Sequence, residues 1–185
     1  QIGTPSSASA LSLASPFDFK RNGLLFVPER GDRNNDTDDI ESANIIERII
    51  GNVNGGVLCL FTSVKAMKSV GEKLRYYMAD VGRTLLIQEE KSKMLLLEDF
   101  KRDTSSVLLA TKSFFEGVDV PGEALQCVII DRIPFPVPDD PVGMAIQESL
   151  DSIGKNGWAH YCLPVACLSI AQASGRLIRS VNDKG

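Results

Sequence analysis

Three short stretches of this chain carry side chains with chemistry to do. The first is Thr62-Ser63, directly behind the apolar run 57–61. Hydroxyls beside the free N–H groups that open a helix suit a phosphate oxygen, and the same Ser63 also fits an ordinary helix N-cap. The second lies between two apolar runs, from Thr111 onward. There Gly117 permits close backbone approach, while Glu116 and Asp119 supply carboxylates on one side of a sheet. That pair is compatible with acid–base hydrolysis and equally with a connecting loop closed by the Pro121-Gly122 turn. The third is residues 172–179. On a helix their spacing by four and then three puts Gln172, Arg176 and Arg179 on one face. Gly175 opens room between them at a cost of about 1 kcal/mol relative to Ala. Two guanidiniums aimed together suit a polyphosphate, each offering a planar fork of donors. A basic last turn complementing the helix dipole accounts for the same residues.

Such groups gather a ligand only if something brings them to one edge, and open α/β sheets do this at the carboxyl ends of their strands. Short runs rich in Leu, Val and Ile alternate here with helical spacing, the signature of βαβ units around a parallel sheet. Strands are predicted near residues 24–27, 57–61, 84–87, 107–110 and 128–131. Asp38 followed by Glu41 resembles a capping box, and Ile40, Ala43, Ile46 and Ile50 then keep helical spacing. Ser63 opens a second helix through Val64, Met67, Val70, Leu74 and Met78, with Gly82 beyond its end. A third, over 92–101, carries Met94, Leu95, Leu97 and Phe100. The proline-rich stretch 133–141 forbids helix and ladder alike and reads as a rigid crossover. Helices over about 142–153 and 165–180 complete the pattern, after which a sheet of this kind takes one more strand.

Composition bounds these readings. The chain has 185 residues, 43% of them hydrophobic and 24% charged, which excludes disorder, collagen and a coiled-coil rod. No apolar run approaches the roughly 20 residues of a membrane span. The net charge of −4 argues at first against nucleic acid. However, residues 29–41 alone hold six acids and two bases, so the remainder is neutral overall. Cys59, Cys127, Cys162 and Cys167 form no CxxC pair and read as reduced thiols of a cytoplasmic protein. Residues 1–15 lack the features of a secretory signal and read as a linker or a continuation from upstream. There is no GxxxxGK[ST] phosphate loop, no DEAD-like or DEAH-like run, and a single histidine, His160, so no metal site is expected here.

In this order the three stretches resemble the second motor domain of superfamily 2 helicases, and in detail their DinG and XPD branch. Phe61-Thr62-Ser63 is similar to motif IV, Phe114-Phe115-Glu116-Gly117-Val118-Asp119 to motif V, and Gln172-Ala173-Ser174-Gly175-Arg176-Leu177-Ile178-Arg179 to motif VI. The segment Pro134-Phe135-Pro136-Val137-Pro138 resembles what bacterial members carry after motif V. Phe115 stands where Trp is usual, and Ala171 where Lys is frequent.

The resemblance implies a RecA-like three-layer α/β domain with a central, mostly parallel sheet over residues 16–185, truncated at its C-terminal end. It implies ATP in a cleft shared with the first motor domain of the same polypeptide, that absent domain holding the Mg²⁺. Arg176 and Arg179 would then serve as arginine fingers, with Gln172, Gly175, Gly117 and Asp119 on the nucleotide side. Thr62, Ser63, Thr111 and Glu116 would face single-stranded DNA. Any iron–sulfur cluster would lie outside this stretch, and the fragment alone would be inactive. The setting implied is DNA repair in the cytoplasm, away from membranes. Two other classes remain open: a stand-alone nucleic-acid or nucleotide-binding module, and a different α/β enzyme using Glu116 and Asp119 as acid and base.

Overall fold

Apolar runs without polar interruption need cover on both faces, which a parallel sheet between helix layers provides. The structure, a computed structural model, describes residues 9, 11, 13, 15–29, 38–114, 124–178, 180 and 182–185. Among these, β1 (Val57–Leu60), β2 (Leu85–Ile87), β3 (Val107–Ala110) and β4 (Cys127–Ile130) form one parallel sheet in the order β2-β3-β1-β4. The helices are α1 (Phe19–Asn22), α2 (Asp38–Ile50), α3 (Val64–Asp80), α4 (Lys93–Arg102), α5 (Pro141–Ser152) and α6 (Leu163–Ser174). A 3₁₀ turn (Lys112–Phe114) follows β3, and a π-helical turn (Trp158–Cys162) leads into α6.

Alternation along the strands sorts the core into two layers. Val57, Cys59 and Phe61 of the β1 segment, with Val107 and Leu109 of β3, pack on Ile46 and Ile50 of α2 and Met67, Val70 and Leu74 of α3. Leu58, Leu60, Leu108 and Ala110 face the other way, toward Leu96 and Phe100 of α4 and Ala173 of α6. The expected three-layer α/β arrangement is therefore present. Gly71 lets α3 lie close on the sheet, since a Cβ there would come within 2.8 Å of Ile87 Cδ1.

Helix starts follow side-chain chemistry. Ser63 Oγ accepts from Ala66 N at 3.4 Å, Ser92 Oγ from Leu95 N at 3.4 Å, and Asp140 Oδ2 from Gly143 N at 2.8 Å, with Pro141 opening α5. Past α3, Gly82 takes a φ of +66°, and Arg83 N donates back to Met78 O at 3.0 Å.

Four expectations are corrected. Residues 24–27 are extended but form no strand. Leu24, Leu25, Phe26 and Val27 are 62–87% exposed. Leu24 N donates to Gly185 O at 2.8 Å while Gly185 N donates to Asn22 O at 3.0 Å, the pattern of a single parallel bridge. One bridging residue cannot make a ladder. Asp38 does not build a capping box, because its buried carboxylate accepts from Arg132 Nη2 at 3.2 Å instead. On α4 the inward positions are Leu96 and Phe100, while Met94 and Leu95 face solvent. Finally α6 ends at Ser174, six residues before the expected boundary. Ser174 Oγ turns back to Ile170 O at 2.9 Å, and Gly175, a weak helix former, sits at the C-cap.

Candidate functional site

The carboxyl ends of the strands set out a row of polar groups. Register pairs Leu60 with Ala110 and Ile87 with Leu109, so the residues that follow β2, β3 and β1 stand side by side. Thr62 and Ser63 leave β1 at this edge with both residues exposed, and Ser63 is spent in part on capping α3. Thr111 leaves β3 half-buried. Its N–H and its hydroxyl both donate to Gln88 Oε1, at 2.7 and 2.9 Å. Glu116, Gly117 and Asp119 lie outside the described residues.

Past β4 the edge is charged. Asp131 accepts from Ser42 Oγ at 2.7 Å, and Arg132 Nε lies 3.5 Å from Asp131 Oδ2 while Nη2 reaches Asp38. This cluster ties the start of α2 to the end of β4, at the point where the chain enters the proline-rich crossover. It is an ion-pair lock with both carboxylates buried.

The third stretch is only partly what helical spacing implied. Gln172 is exposed on α6, and Gly175 donates its N–H to Ala171 O at 2.9 Å. Arg176 is half-buried and leaves from a tighter turn, in which Arg176 N donates to Ala173 O at 3.3 Å and Leu177 N to Ser174 O at 3.0 Å. Arg179 lies outside the described residues. Among the described residues, the helical spacing from Gln172 to Arg176 is thus interrupted by a helix end and a turn. Gln172 and Arg176 still belong to one short segment at the end of α6. Among the described residues no group of three or more His, Cys, Asp or Glu side chains could hold a metal ion.

All four cysteines are free. Burial pushes the Cys59 thiol well up and that of Cys127 up to about 11, which keeps both protonated and poor as nucleophiles.

Three groups escaped the sequence reading. Gln88 follows the apolar run of β2 just as Thr62 follows β1, so applying the strand-end rule to every strand would have found it. Asp131-Arg132 follows β4 in the same way. A third residue, Arg83, serves the opposite end of the sheet, donating to the carbonyls of Ser105, Ile50, Val53 and Gly55 at 2.6–2.9 Å.

Comparison with known proteins bears on what such an edge does. Residues 46–185 match the family described as Helicase C-terminal domain. The chain is 37% identical over 179 residues to the ATP-dependent helicase DinG of Mycobacterium tuberculosis, covering 95% of this chain and 26% of that protein. It is 38% identical over 180 residues to the ATP-dependent DNA helicase YoaA of Haemophilus influenzae, covering 97% and 28%. The 3'-5' exonuclease DinG of Bacillus subtilis is 35% identical, with 95% of this chain and 19% of that protein covered. This chain thus spans about a quarter or less of the length of these relatives. Among solved structures an XPD helicase aligns with a TM-score of 0.60 at 22% identity, over 85% of this chain and 28% of that one, a likeness in fold.

Proposed function

The chain belongs to the family of helicase C-terminal domains, of the DinG and XPD-like kind, and from that premise we propose that it works as the second motor domain of an ATP-dependent DNA helicase. The observation that carries this reading is the parallel register that sets the ends of β1, β2 and β3 in one row. In this reading Thr62 and Ser63 of that row face the backbone of single-stranded DNA, as does Glu116, which lies outside the described residues, while Thr111 belongs to the same contact set through the Gln88 amide that its donors hold. Neutral hydroxyl and N–H contacts to phosphates need no basic domain, which reconciles the net charge of −4 with a nucleic-acid partner.

Gln172, Gly175, Gly117 and Asp119 belong to the nucleotide side, where a first motor domain of the same polypeptide faces this one and binds ATP with its Mg²⁺. Arg176 and Arg179 place positive charge on the γ-phosphate as charge develops during transfer. Opening and closing of the two domains with nucleotide state then moves the strand. Any iron–sulfur cluster lies elsewhere in the polypeptide, and the setting is DNA repair in the cytoplasm.

The domain alone hydrolyses no ATP on this reading, because the groups that hold Mg²⁺ and the β-phosphate are supplied by its partner domain. Hydrolysis of ATP with single-stranded DNA present, measured for the 185-residue domain beside the intact protein, tests this. Turnover by the intact protein and none by the domain supports it. DNA-stimulated, metal-dependent turnover by the domain alone overturns it.

A further inference from the structure

Thr111 stands where a hydroxyl donor to a nucleic-acid strand was expected, but its donors are already engaged. Its N–H and O–H both point at Gln88 Oε1, at 2.7 and 2.9 Å. This arrangement fixes the orientation of the Gln88 amide. A backbone N–H can face only an acceptor, so the oxygen must lie toward Thr111 and the nitrogen away from it. Gln88 Nε2 thereby keeps two N–H groups at the strand-end row, with no partner among the described residues.

The backbone around Gln88 is built to hold this pose. Glu90 N donates to Ile87 O at 3.2 Å, closing a turn with Gln88 and Glu89 at its centre. Glu89 has a φ of +79°, the only non-glycine residue with positive φ among those described. A turn of this kind places its first central residue over the end of the preceding strand, and a bulky residue in the left-handed region costs roughly 1–2 kcal/mol. The adjacent acids do not charge the place negatively. Lys68 Nζ meets Glu89 Oε2 at 2.6 Å, and Arg75 pairs with Glu90. Lys93 lies over the Phe114 ring at 4.9 Å and donates to the Ser113 carbonyl in the loop that follows Thr111.

We infer that Gln88 is a nucleic-acid-binding residue of this domain, its amide Nε2 donating to a backbone phosphate of the bound single strand while Thr111 holds the amide in place. The inference rests on the reading of the domain as a helicase motor half and adds a contact to it.

Binding of a fluorescently labelled oligothymidylate to the intact protein tests it, with Gln88→Glu and Gln88→Met compared with wild type. Gln88→Glu keeps an acceptor for both Thr111 donors but cannot donate, so its fold is retained. An affinity loss of about tenfold is expected for both variants. ATP affinity measured without DNA stays at the wild-type value. For Gln88→Glu the loss persists at about 0.3 M salt, where screening is shorter than the roughly 10 Å of 0.1 M. Wild-type affinity in Gln88→Glu marks a purely structural clamp and overturns the inference. So does a deficit that disappears with salt, which is through-space repulsion, or one confined to ATP affinity. Failure of the wild-type protein to bind any single strand removes the nucleic-acid reading itself, and this contact with it.

Discussion

Strands β1 and β4 lie side by side with equally apolar sequences, Val-Leu-Cys-Leu and Cys-Val-Ile-Ile, yet every residue of the first is buried and every residue of the second only half-buried. Around β1 and β3, α2 and α3 cover one face, with α4 and Ala173 of α6 on the other. Around β4 the cover is thinner. Met144 and Ile146 of α5, Trp158 of the π-helical turn and Leu168 of α6 are exposed, and Pro141, Val142, Ala145 and Leu150 border an open apolar groove. An apolar strand therefore states that burial is needed without stating what supplies it. The buried half is scaffold. The half built on β4 and α6 carries the arginine segment proposed to do chemistry, and its strand is the less covered of the two.

The largest expected effect separates chemistry from scaffold. In the intact protein, Arg179→Ala is expected to lower DNA-stimulated ATP hydrolysis by about 10³-fold, toward the lower end of arginine-finger effects because Arg176 shares the task. Nucleotide affinity and melting temperature stay near wild type, since such a group acts mainly in the transition state. Near-normal turnover in a well-folded variant breaks the assignment of chemistry to this half.

Stability should show the reverse. Phe100, fully buried against the scaffold, is expected to cost about 3–5 kcal/mol when replaced by Ala. Ile129 on β4 is half-exposed, so Ile129→Ala should cost only about 1–2 kcal/mol, in proportion to the smaller apolar area returned to water. Denaturant unfolding of both variants measures the difference, and equal losses would erase the distinction between the halves.

What the sequence made legible follows the same division. The runs at 57–61 and 107–110 announce central strands because their neighbours lie within the chain, and the alternation that sorts Leu58 from Cys59 is already present in them. Residues 24–27 have an equally strand-like composition, but a strand also needs a ladder partner, and among the described residues a single bridge to Gly185 is all that is found. The end of α6 was misread because helical spacing continues through Arg179, whereas Ser174 and Gly175 favour a tight turn. Thr62, Ser63 and Thr111 were legible from the rule that ligands gather at strand ends. The same rule reaches Gln88 by its place after β2, but not its bond to Thr111, 23 residues away in sequence. Asp38 shows the same limit, its carboxylate going to Arg132 across 94 residues.

Within the scaffold, the amino end of the sheet is held by satisfied polar groups, and there a moderate pH-dependent effect is expected. The Thr84 side chain and both donors of Ser105 hold the Asp103 carboxyl below its usual range, Ser105 N and Oγ lying 3.0 and 2.8 Å from Asp103 Oδ1. A carboxyl with a depressed folded pKa adds stability above its unfolded value, near 3.9, and loses it as pH falls through the folded value. Asp103→Asn should therefore cost about 1 kcal/mol at neutral pH. That difference should vanish in acid, once the wild-type carboxyl is protonated in both states. Melting temperatures recorded from pH 7 down to about 2 read this directly, and a difference that persists unchanged across the acid range would refute the linkage.

The smallest effect lies at the other end of the same strands, where the scaffold holds strain instead of relieving it. Glu89 occupies left-handed backbone at φ +79°, a conformation glycine adopts freely. Glu89→Gly removes that strain, worth about 1–2 kcal/mol, but adds roughly 0.5–1 kcal/mol of chain entropy to be lost on folding. It also gives up the pair with Lys68, whose side chains are 56% and 47% exposed and which is worth at most about 1 kcal/mol. The surplus is a stabilisation of about 0.5 kcal/mol, or 1–2 °C in melting temperature for a chain of this size. Glu89→Asn separates the terms. Asn tolerates the left-handed region and keeps its Cβ, so it relieves part of the strain without the full entropy cost. If both variants melt at or above wild type, the carboxyl end carries strain that the amino end does not. If both melt several degrees lower, the Lys68 pair and not the backbone dominates this turn, and the contrast between the two ends of the scaffold fails.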